Sequence, residues 1–379
     1  MAVQKRFNVG KNPYIRKADN TTYGTNVIMR DFLISLLPLV LFAWVKNGIL
    51  PFAKGDCGFF QMLYPLLFVL IGGLSTYLIE GLYYLIFFKE ENICERLSKS
   101  YAIIPGVLLA MVLPLNTPIW LLVLGSIFTS VIGKLLFGGF GYNIFNPALI
   151  GYVFISVAFF GVIRSAGGTL NPTESLEIVS NATPLSNFFS NPSMEIDKAI
   201  EPYGNLLNFF VGLIPGSIAE TSSLLCIVSF VYLLVRRVIN WRIPVIYIGT
   251  VFIFTYLIGA LNGYATDLRY PLFQILSGGL FFGAVFMATE PVTSPRTPNG
   301  EIIFAIFLGV ITVMLRYLTD NPEGVASSIL FMNLFTPTID NVFAKVRVAN
   351  KPINKVMGYV YAGIIVLAIV GFTLIQLEV

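Results

Sequence analysis

The chain has 379 residues, of which 56% are hydrophobic and only 12% charged, and its net charge is +4. Soluble domains carry about 25% charged residues, so this composition excludes an ordinary soluble domain and predicts an integral membrane protein. The small net charge makes nucleic acid an unexpected partner. The sequence contains no histidine, which excludes a histidine-ligated haem, a histidine zinc site and a histidine general base.

Apolar runs recur along the whole chain, and a run of about 20 residues is long enough to cross a hydrocarbon core of about 30 Å. Backbone groups in lipid must be satisfied within the segment, so these runs are predicted to be helices. The predicted helices are 32–50, 60–88, 101–115, 119–136, 144–163, 220–235, 244–261, 271–289, 301–319, 325–338 and 357–376. The expected fold class is an all-α integral membrane protein with ten to eleven transmembrane helices.

Five parts are expected along the chain. They are an N-terminal segment (1–31), a first membrane half (32–163), a polar loop (164–204), a second membrane half (205–340) and a linker with an extra helix (341–379). No signal peptide is expected, because the first 31 residues are polar and basic. Helices one to five begin on one side and helices six to ten on the other, which predicts a five-plus-five inverted repeat with broken helices.

The distribution of Lys and Arg predicts the orientation of the chain. Of the 24 basic residues, 18 lie on the side of the N-terminus and 6 on the opposite side. Basic residues concentrate on the cytoplasmic side, so the N-terminus is expected in the cytoplasm and loop 164–204 on the extracytoplasmic face.

Three carboxylates lie in or beside apolar helices: Glu80, Glu290 and Asp340. Ionisable groups at such positions are costly and often functional, and carboxylate oxygens suit hard cations. A cation route is one interpretation. For Glu80 the alternative is an interfacial carboxylate that is paired with Lys89 or hydrogen-bonded to a neighbouring helix. For Glu290 and Asp340 it is a residue that simply ends a helix. No resident metal site is predicted, and Cys57, Cys94 and Cys226 are too far apart in sequence to indicate a disulfide framework or a metal centre.

Two segments combine glycine with polar residues at helix ends. In 137–151, Asn143 and Asn146 precede Pro147, which fits either a ligand-lining break or a capped helix start. In 213–225, a Gly-Ser turn leads into a helix that begins with Glu220, Thr221 and Ser222. A helix N-terminus favours anions, including a phosphate, although Glu220 would oppose one.

The stretch "EIVSNATPLSN" (177–187) places Thr183 in the polar loop. It can be interpreted as a glycosylation acceptor, which Pro184 disfavours, as turn chemistry, or as a covalent attachment site in which the hydroxyl carries a phosphate ester.

Several blocks resemble the RnfD/NqrB family of membrane redox subunits: 28–39, 138–152, 214–224, 286–301 and 322–340. In that family FMN is esterified to the threonine of a D-G-x-S-[GTA]-A-T motif, which Ser180, Ala182 and Thr183 match, whereas Glu177, Ile178 and Asn181 depart from it. The resemblance therefore implies covalent FMN on Thr183, with Glu220, Thr221 and Ser222 as its possible surroundings. It also implies riboflavin near Asn143 and Asn146, and a cation path through Glu80, Glu290 and Asp340.

The function implied by the resemblance is that of a membrane subunit in an ion-pumping ferredoxin:NAD oxidoreductase, which is not active alone and carries no catalytic side chain of its own. Expected partners are an FMN-bearing extracytoplasmic subunit, iron–sulfur subunits and a flavin transferase. Three alternatives stay open: an NqrB-type subunit of a sodium-translocating NADH:quinone reductase, a flavin-free channel or transporter, and a structural membrane anchor.

Overall fold

The computed structural model describes residues 24–89, 92–166, 184–190, 195–218, 222–264, 267–319, 324–349 and 352–376. Within these residues every regular element is a helix. The apolar composition accounts for this, because a helix satisfies its own N–H and C=O groups.

The first half contains seven helices in chain order. They are α1 (Thr25–Lys54), α2 (Phe59–Phe88), α3 (Ile93–Ser100), α4 (Ile103–Val112), α5 (Ile119–Phe137), α6 (Pro147–Ala158) and α7 (Phe160–Ala166). Three short helices follow in the loop region: α8 (Pro184–Ser190), α9 (Ile196–Ile200) and α10 (Leu206–Val211). The remaining helices are α11 (Ser223–Val235), α12 (Arg242–Tyr264), α13 (Arg269–Leu276), α14 (Leu280–Met287), α15 (Pro298–Leu318), α16 (Val325–Ala349) and α17 (Pro352–Gln376).

Six helices in the described part of the chain are long and apolar enough to cross a membrane, or seven if the bent pair α13–α14 counts as one crossing. The multi-pass all-α prediction is confirmed, but the predicted ten to eleven crossings are not reached. The difference has a simple cause. Helices α4, α6 and α11 contain only 10, 12 and 13 residues. A rise of 1.5 Å per residue makes them about 15 to 20 Å long, shorter than the bilayer core.

Two predicted helices differ in their course. The predicted helix 271–289 is broken at Ser277–Gly279, where α13 and α14 meet at 63° and Gly278 adopts φ +74°. The predicted helix 325–338 instead continues as α16 to Ala349, with Pro337 in its interior. The prediction of a linker from 341 is therefore wrong for 341–349. The turn after Pro337 is held in place because the Asp340 carboxylate accepts hydrogen bonds from the backbone N–H groups of Arg296 and Thr297, so packing overrides the local preference against a helix.

Small residues bring the helices close together, as is usual in membranes. A Cβ built on Gly72 of α2 would lie 2.6 Å from the carbonyl oxygen of Gly106 in α4. A Cβ built on Gly309 of α15 would lie 2.6 Å from the Cβ of Thr250 in α12. These are two close helix crossings, one in each half of the chain, and they fix the relative positions of α2 and α4 and of α12 and α15.

Candidate functional site

A cleft with about 490 Å³ of empty space, open solvent included, is lined by α1, α4, the end of α5, the start of α6 and the loop after α14, and we call it the inner cavity. Its walls are mainly apolar and aromatic, with a few polar groups. Its lining includes Phe32, Tyr101, Lys134, Phe140, Asn143 and Glu290. Ligand pockets in proteins commonly have this kind of lining.

Glu80 and Lys134 form a buried ion pair beside the inner cavity. The Lys134 Nζ lies 2.9 Å from Glu80 Oε2, and the two side chains are 2% exposed for the lysine and 1% for the glutamate. Ser100 contributes twice, because its carbonyl oxygen accepts from Lys134 Nζ at 2.6 Å and its hydroxyl donates to Glu80. The alternative in which Glu80 pairs with Lys89 is wrong, because its ion-pair partner is Lys134. The other alternative, a hydrogen bond to a neighbouring helix, is confirmed by the Ser100 hydroxyl of α3.

Asn143 and Asn146 take different roles. The Asn143 Nδ2 donates to Glu290 Oε1 at 3.2 Å and lies on the cavity wall. The Asn146 Oδ1 caps α6 by accepting from Ala148 N and Leu149 N, and its Nδ2 donates to Met287 O at 3.3 Å. Asn146 is therefore engaged in fixing the loop, and Asn143 is the better placed of the two to address a ligand.

Glu290 lies in the loop that follows α14. It accepts from Asn143 and, at 2.8 Å, from the Thr293 hydroxyl. Burial raises the pKa of Glu290 to about 7, and the hydrogen bonds from Thr293 and Asn143 and the charge of Lys134 oppose that rise. The carboxyl can therefore change its charge near neutral pH.

Asp340 does not join the inner cavity. Its carboxylate accepts from the backbone N–H groups of Arg296 and Thr297 and from the Thr297 hydroxyl, at 3.0 to 3.1 Å. These bonds tie α16 to the start of α15. Of the three predicted carboxylates, the structure brings Glu80 and Glu290 toward one cavity through Lys134 and gives Asp340 an anchoring contact elsewhere.

The predicted attachment site lies mostly outside the described residues. Ser180, Ala182, Thr183, Glu220 and Thr221 all belong to that group. Ser222 is described: it is 1% exposed, and its hydroxyl caps α11 by accepting from Leu225 N at 3.3 Å.

The description resumes at Pro184, the residue bonded to Thr183, and α8 is held firmly by aromatic contacts. The ring centroid of Phe188 lies 6.0 Å from Tyr270 and 5.5 Å from Phe273 of α13, and Phe189 lies 5.0 Å from Tyr317 of α15. These contacts bring the residues that follow Thr183 to the end of the bundle where α13 begins and α15 ends. We call this the outer end.

Sequence reasoning missed the two buried basic residues. Lys134 and Arg316 were counted as charges at the membrane surfaces, but their exposed fractions are 2% and 1%. A lone basic residue inside "SVIGKLLFGG" or "TVMLRYL" was the available signal, because Lys and Arg in apolar runs are rare unless they face the protein interior.

Comparison with known proteins identifies the family. A model of the NQR2, RnfD, RnfE family matches residues 8–349. This chain belongs to that family. It is 33% identical over 343 residues to the D subunit of a proton-translocating ferredoxin:NAD(+) oxidoreductase complex from Clostridium ljungdahlii, covering 90% of this chain and 96% of the relative.

The names of two further relatives state a different ion from that of the Clostridium protein, and one of them also states a different electron acceptor. The D subunit of a Na(+)-translocating ferredoxin:NAD(+) oxidoreductase complex from Acetobacterium woodii is 33% identical over 90% of this chain and 94% of the relative. The B subunit of a Na(+)-translocating NADH-quinone reductase from Chromohalobacter salexigens is 32% identical over 73% of this chain and 66% of the relative. The resemblance to the family is confirmed, and the ferredoxin-type subunits are matched over the greater share of the chain.

Proposed function

We propose that this chain is a membrane subunit of an ion-translocating ferredoxin:NAD oxidoreductase. The observation that carries the proposal is the similarity to the D subunits of two such complexes over 90% of this chain. An NqrB-type role in a NADH:quinone reductase is the second candidate, supported by the shorter match to the B subunit of such an enzyme. The relatives' names include both proton- and sodium-translocating complexes, so either ion is compatible with the proposal.

The proposed cofactors are FMN esterified to Thr183 and riboflavin in the inner cavity. Bound flavin would supply the electron-carrying chemistry, which the chain's own side chains lack. For riboflavin, the lining of the inner cavity fits: Asn143 offers a polar edge, and Phe32 and Phe140 offer apolar walls. For FMN, α8 keeps Pro184 and Leu185 buried at the outer end, next to the proposed ester.

The proposed cation route uses the groups around the inner cavity. Lys134 occupies the position that a cation would need beside Glu80, so Glu80 can bind another cation only when Lys134 moves away. Lys134 also lines the cavity, which gives its ammonium group a place to move. Glu290, the other carboxyl at the cavity, can take up or release a proton near neutral pH. Asp340 would contribute by holding the loop after Glu290 against α16.

The helix contacts support the proposed inverted repeat of five plus five helices. Counterparts in the two halves touch each other: α1 contacts α11, and α6 contacts α16. Packing within the two halves also corresponds. Helix α2 packs on α5 in the first half, as α12 packs on α15 in the second. Helix α5 likewise packs on α6, as α15 packs on α16. Under this proposal the short helices α4, α6 and α11 are broken crossings, and they bring the total to ten when the bent pair α13–α14 counts as one crossing.

The proposed setting is the inner membrane of a bacterium, with the N-terminus in the cytoplasm and the flavin loop outside. Partners would be an FMN-bearing extracytoplasmic subunit, iron–sulfur subunits and a flavin transferase. A flavin-free channel or a structural anchor is the rival class. The buried Glu80–Lys134 pair argues against a mere anchor, because a buried ion pair is rarely the most stable solution for a core.

The test is in-gel flavin fluorescence of the chain after co-expression with a flavin transferase. The wild type and Thr169→Ala, a control in the same loop, should give fluorescent bands, and Thr183→Ala should give a dark band and an inactive but folded complex. A dark wild-type band, with the transferase shown active on another substrate, would refute the flavin proposal and favour the channel or the anchor.

A further inference from the structure

A group of buried polar side chains lies at the outer end, where α13 breaks. Gln274 and Ser277 are 0% exposed and Arg316 is 1% exposed. The Arg316 Nη1 donates to the carbonyl oxygen of Gln274 at 2.6 Å, which draws α13 and α15 together around the break. We call these three residues the outer polar cluster.

Two members of the outer polar cluster have unused hydrogen-bonding capacity. Both polar side-chain atoms of Gln274, Nε2 and Oε1, and the Ser277 hydroxyl find no hydrogen-bond partner among the described residues. A buried polar group without a partner loses its hydrogen bonds to water and destabilises the fold. Three such atoms beside a buried guanidinium indicate a site whose ligand accepts and donates hydrogen bonds.

The cluster lies next to the chain that follows Thr183. The position that a Cβ on Gly278 would occupy is 3.3 Å from Leu185 Cδ2 and 3.9 Å from Arg316 Nη2. The contact is close because Gly278 has no side chain, and its φ of +74° disfavours any residue that has one. Leu185 is two residues from Thr183, and consecutive Cα atoms are about 3.8 Å apart. The described chain two residues beyond Thr183 therefore lies against the cluster.

We propose that Gln274, Ser277 and Arg316 bind the phosphodiester and the ribityl chain of a flavin esterified to Thr183. This inference rests on the proposed function. A phosphodiester carries one negative charge and only acceptor oxygens, which suit the Arg316 guanidinium and the Ser277 hydroxyl. Ribityl hydroxyls donate and accept, which suits the two unpaired atoms of the Gln274 amide. The bond from Arg316 to Gln274 O serves the helix end, and the two neutral side chains take no part in it.

The test compares thermal stability in detergent with and without the ester. Gln274→Met and Ser277→Ala are each made in the flavin-bearing wild type and in the flavin-free Thr183→Ala chain. Without flavin, removing a buried unpaired polar atom should leave the melting temperature unchanged or raise it. With flavin, the same substitution should lower it by a few degrees, because a bond to the ligand is lost. The sign of the shift reverses between the two backgrounds.

The matched control is Thr117→Val, because the Thr117 hydroxyl is also buried without a partner among the described residues but lies in the loop between α4 and α5. Its effect should be the same in both backgrounds. If the cluster variants also shift equally in both, the cluster does not bind the flavin tail and the inference is overturned.

A second measurement tests the inference in variants whose yield is too low for thermal unfolding. The rate at which a phosphodiesterase releases flavin from the detergent-solubilised chain should be slow in the wild type and several-fold faster in Ser277→Ala. Equal rates would overturn the inference. If the wild-type band is not fluorescent, the flavin proposal and this inference are both refuted. If the wild type is fluorescent but the cluster variants shift the melting temperature equally with and without flavin, only this inference is refuted.

Discussion

At the scale of single residues, the main feature is the charge buried beside the inner cavity. Glu80 and Lys134 lose their hydration, and their attraction offsets that cost only because the geometry is close and Ser100 bonds to both. Either residue alone would leave a buried charge without a partner. The two side chains should therefore depend on each other for stability.

We expect Lys134→Met to destabilise the fold by about 3–5 kcal/mol, because it leaves Glu80 buried and unpaired. The double variant Glu80→Gln/Lys134→Met should recover most of that loss. Thermal unfolding in detergent measures both. Lys99→Met, which breaks the exposed pair with Glu95, is the control and should cause no measurable change. If the double variant is as unstable as the single one, the pair is not a coupled unit.

Glu290 should make stability depend on pH. Its pKa is raised from 4.5 to about 7 in the folded chain, so the folded state holds a proton that the unfolded state releases. The stabilising contribution of the protonated form is complete below about pH 4.5 and is lost as the pH rises through 7. Glu290→Gln should flatten the melting temperature across this window relative to the wild type. Glu195→Gln, on the exposed surface, should keep the wild-type profile; an unchanged profile for Glu290→Gln would show that another group titrates there.

At the scale of helices, the crossing of α2 and α4 depends on glycine. A Cβ on Gly106 would collide with the carbonyl oxygen of Gly72 and with the Thr76 hydroxyl, both on α2. The collision involves backbone, so the helices themselves would have to move apart. Because α2 carries Glu80 and α4 contributes Ile104 to the wall of the inner cavity, the crossing also controls the site.

Gly106→Ala should therefore destabilise the chain by about 1–3 kcal/mol through overpacking. Gly249→Ala in α12 is the matched control, because nothing lies within 4 Å of a Cβ at that position. It should be neutral or slightly stabilising, since alanine favours helix over glycine by about 1 kcal/mol. Melting temperatures of the two variants in one detergent test this; equal effects would mean that the crossing is not tight in the membrane.

At the scale of the whole molecule, the orientation rests on the distribution of basic residues, and the native cysteines can test it. Cys57 lies between α1 and α2, on the side predicted to be outside. Cys94 is exposed on α3, on the side predicted to be cytoplasmic, and Cys226 is buried. A membrane-impermeant maleimide added to intact cells should label Cys57 and spare Cys94.

Single-cysteine variants provide the control for this measurement. A chain that retains only Cys94 should react after permeabilisation and not before, and a chain that retains only Cys226 should stay unlabelled in both conditions. Labelling of Cys94 in intact cells would reverse the assigned orientation and place the flavin loop in the cytoplasm.

Hydropathy and other local patterns were enough to predict the class of the protein and the approximate positions of its helices. Hydropathy is a local property, so the long crossings α2, α12 and α15 start and end within a few residues of prediction. Asn146 as the cap of α6 was also predictable, because an Asn before a proline at the first helical position is a local signal. The motif around Thr183 and the family blocks indicated the function by resemblance.

Contacts between polar side chains that are far apart in the sequence could not be predicted and are seen only in the folded chain. Lys134 pairs with Glu80 across 54 positions in the sequence, and Asn143 meets Glu290 across 147. The helix break at Gly278 and the continuation of α16 past Pro337 also depend on neighbours, because packing overrides local propensity. Charges in apolar runs look alike in a sequence whether they reach the membrane surface or a buried partner. Their desolvation is compensated by contacts that exist only once the helices have assembled.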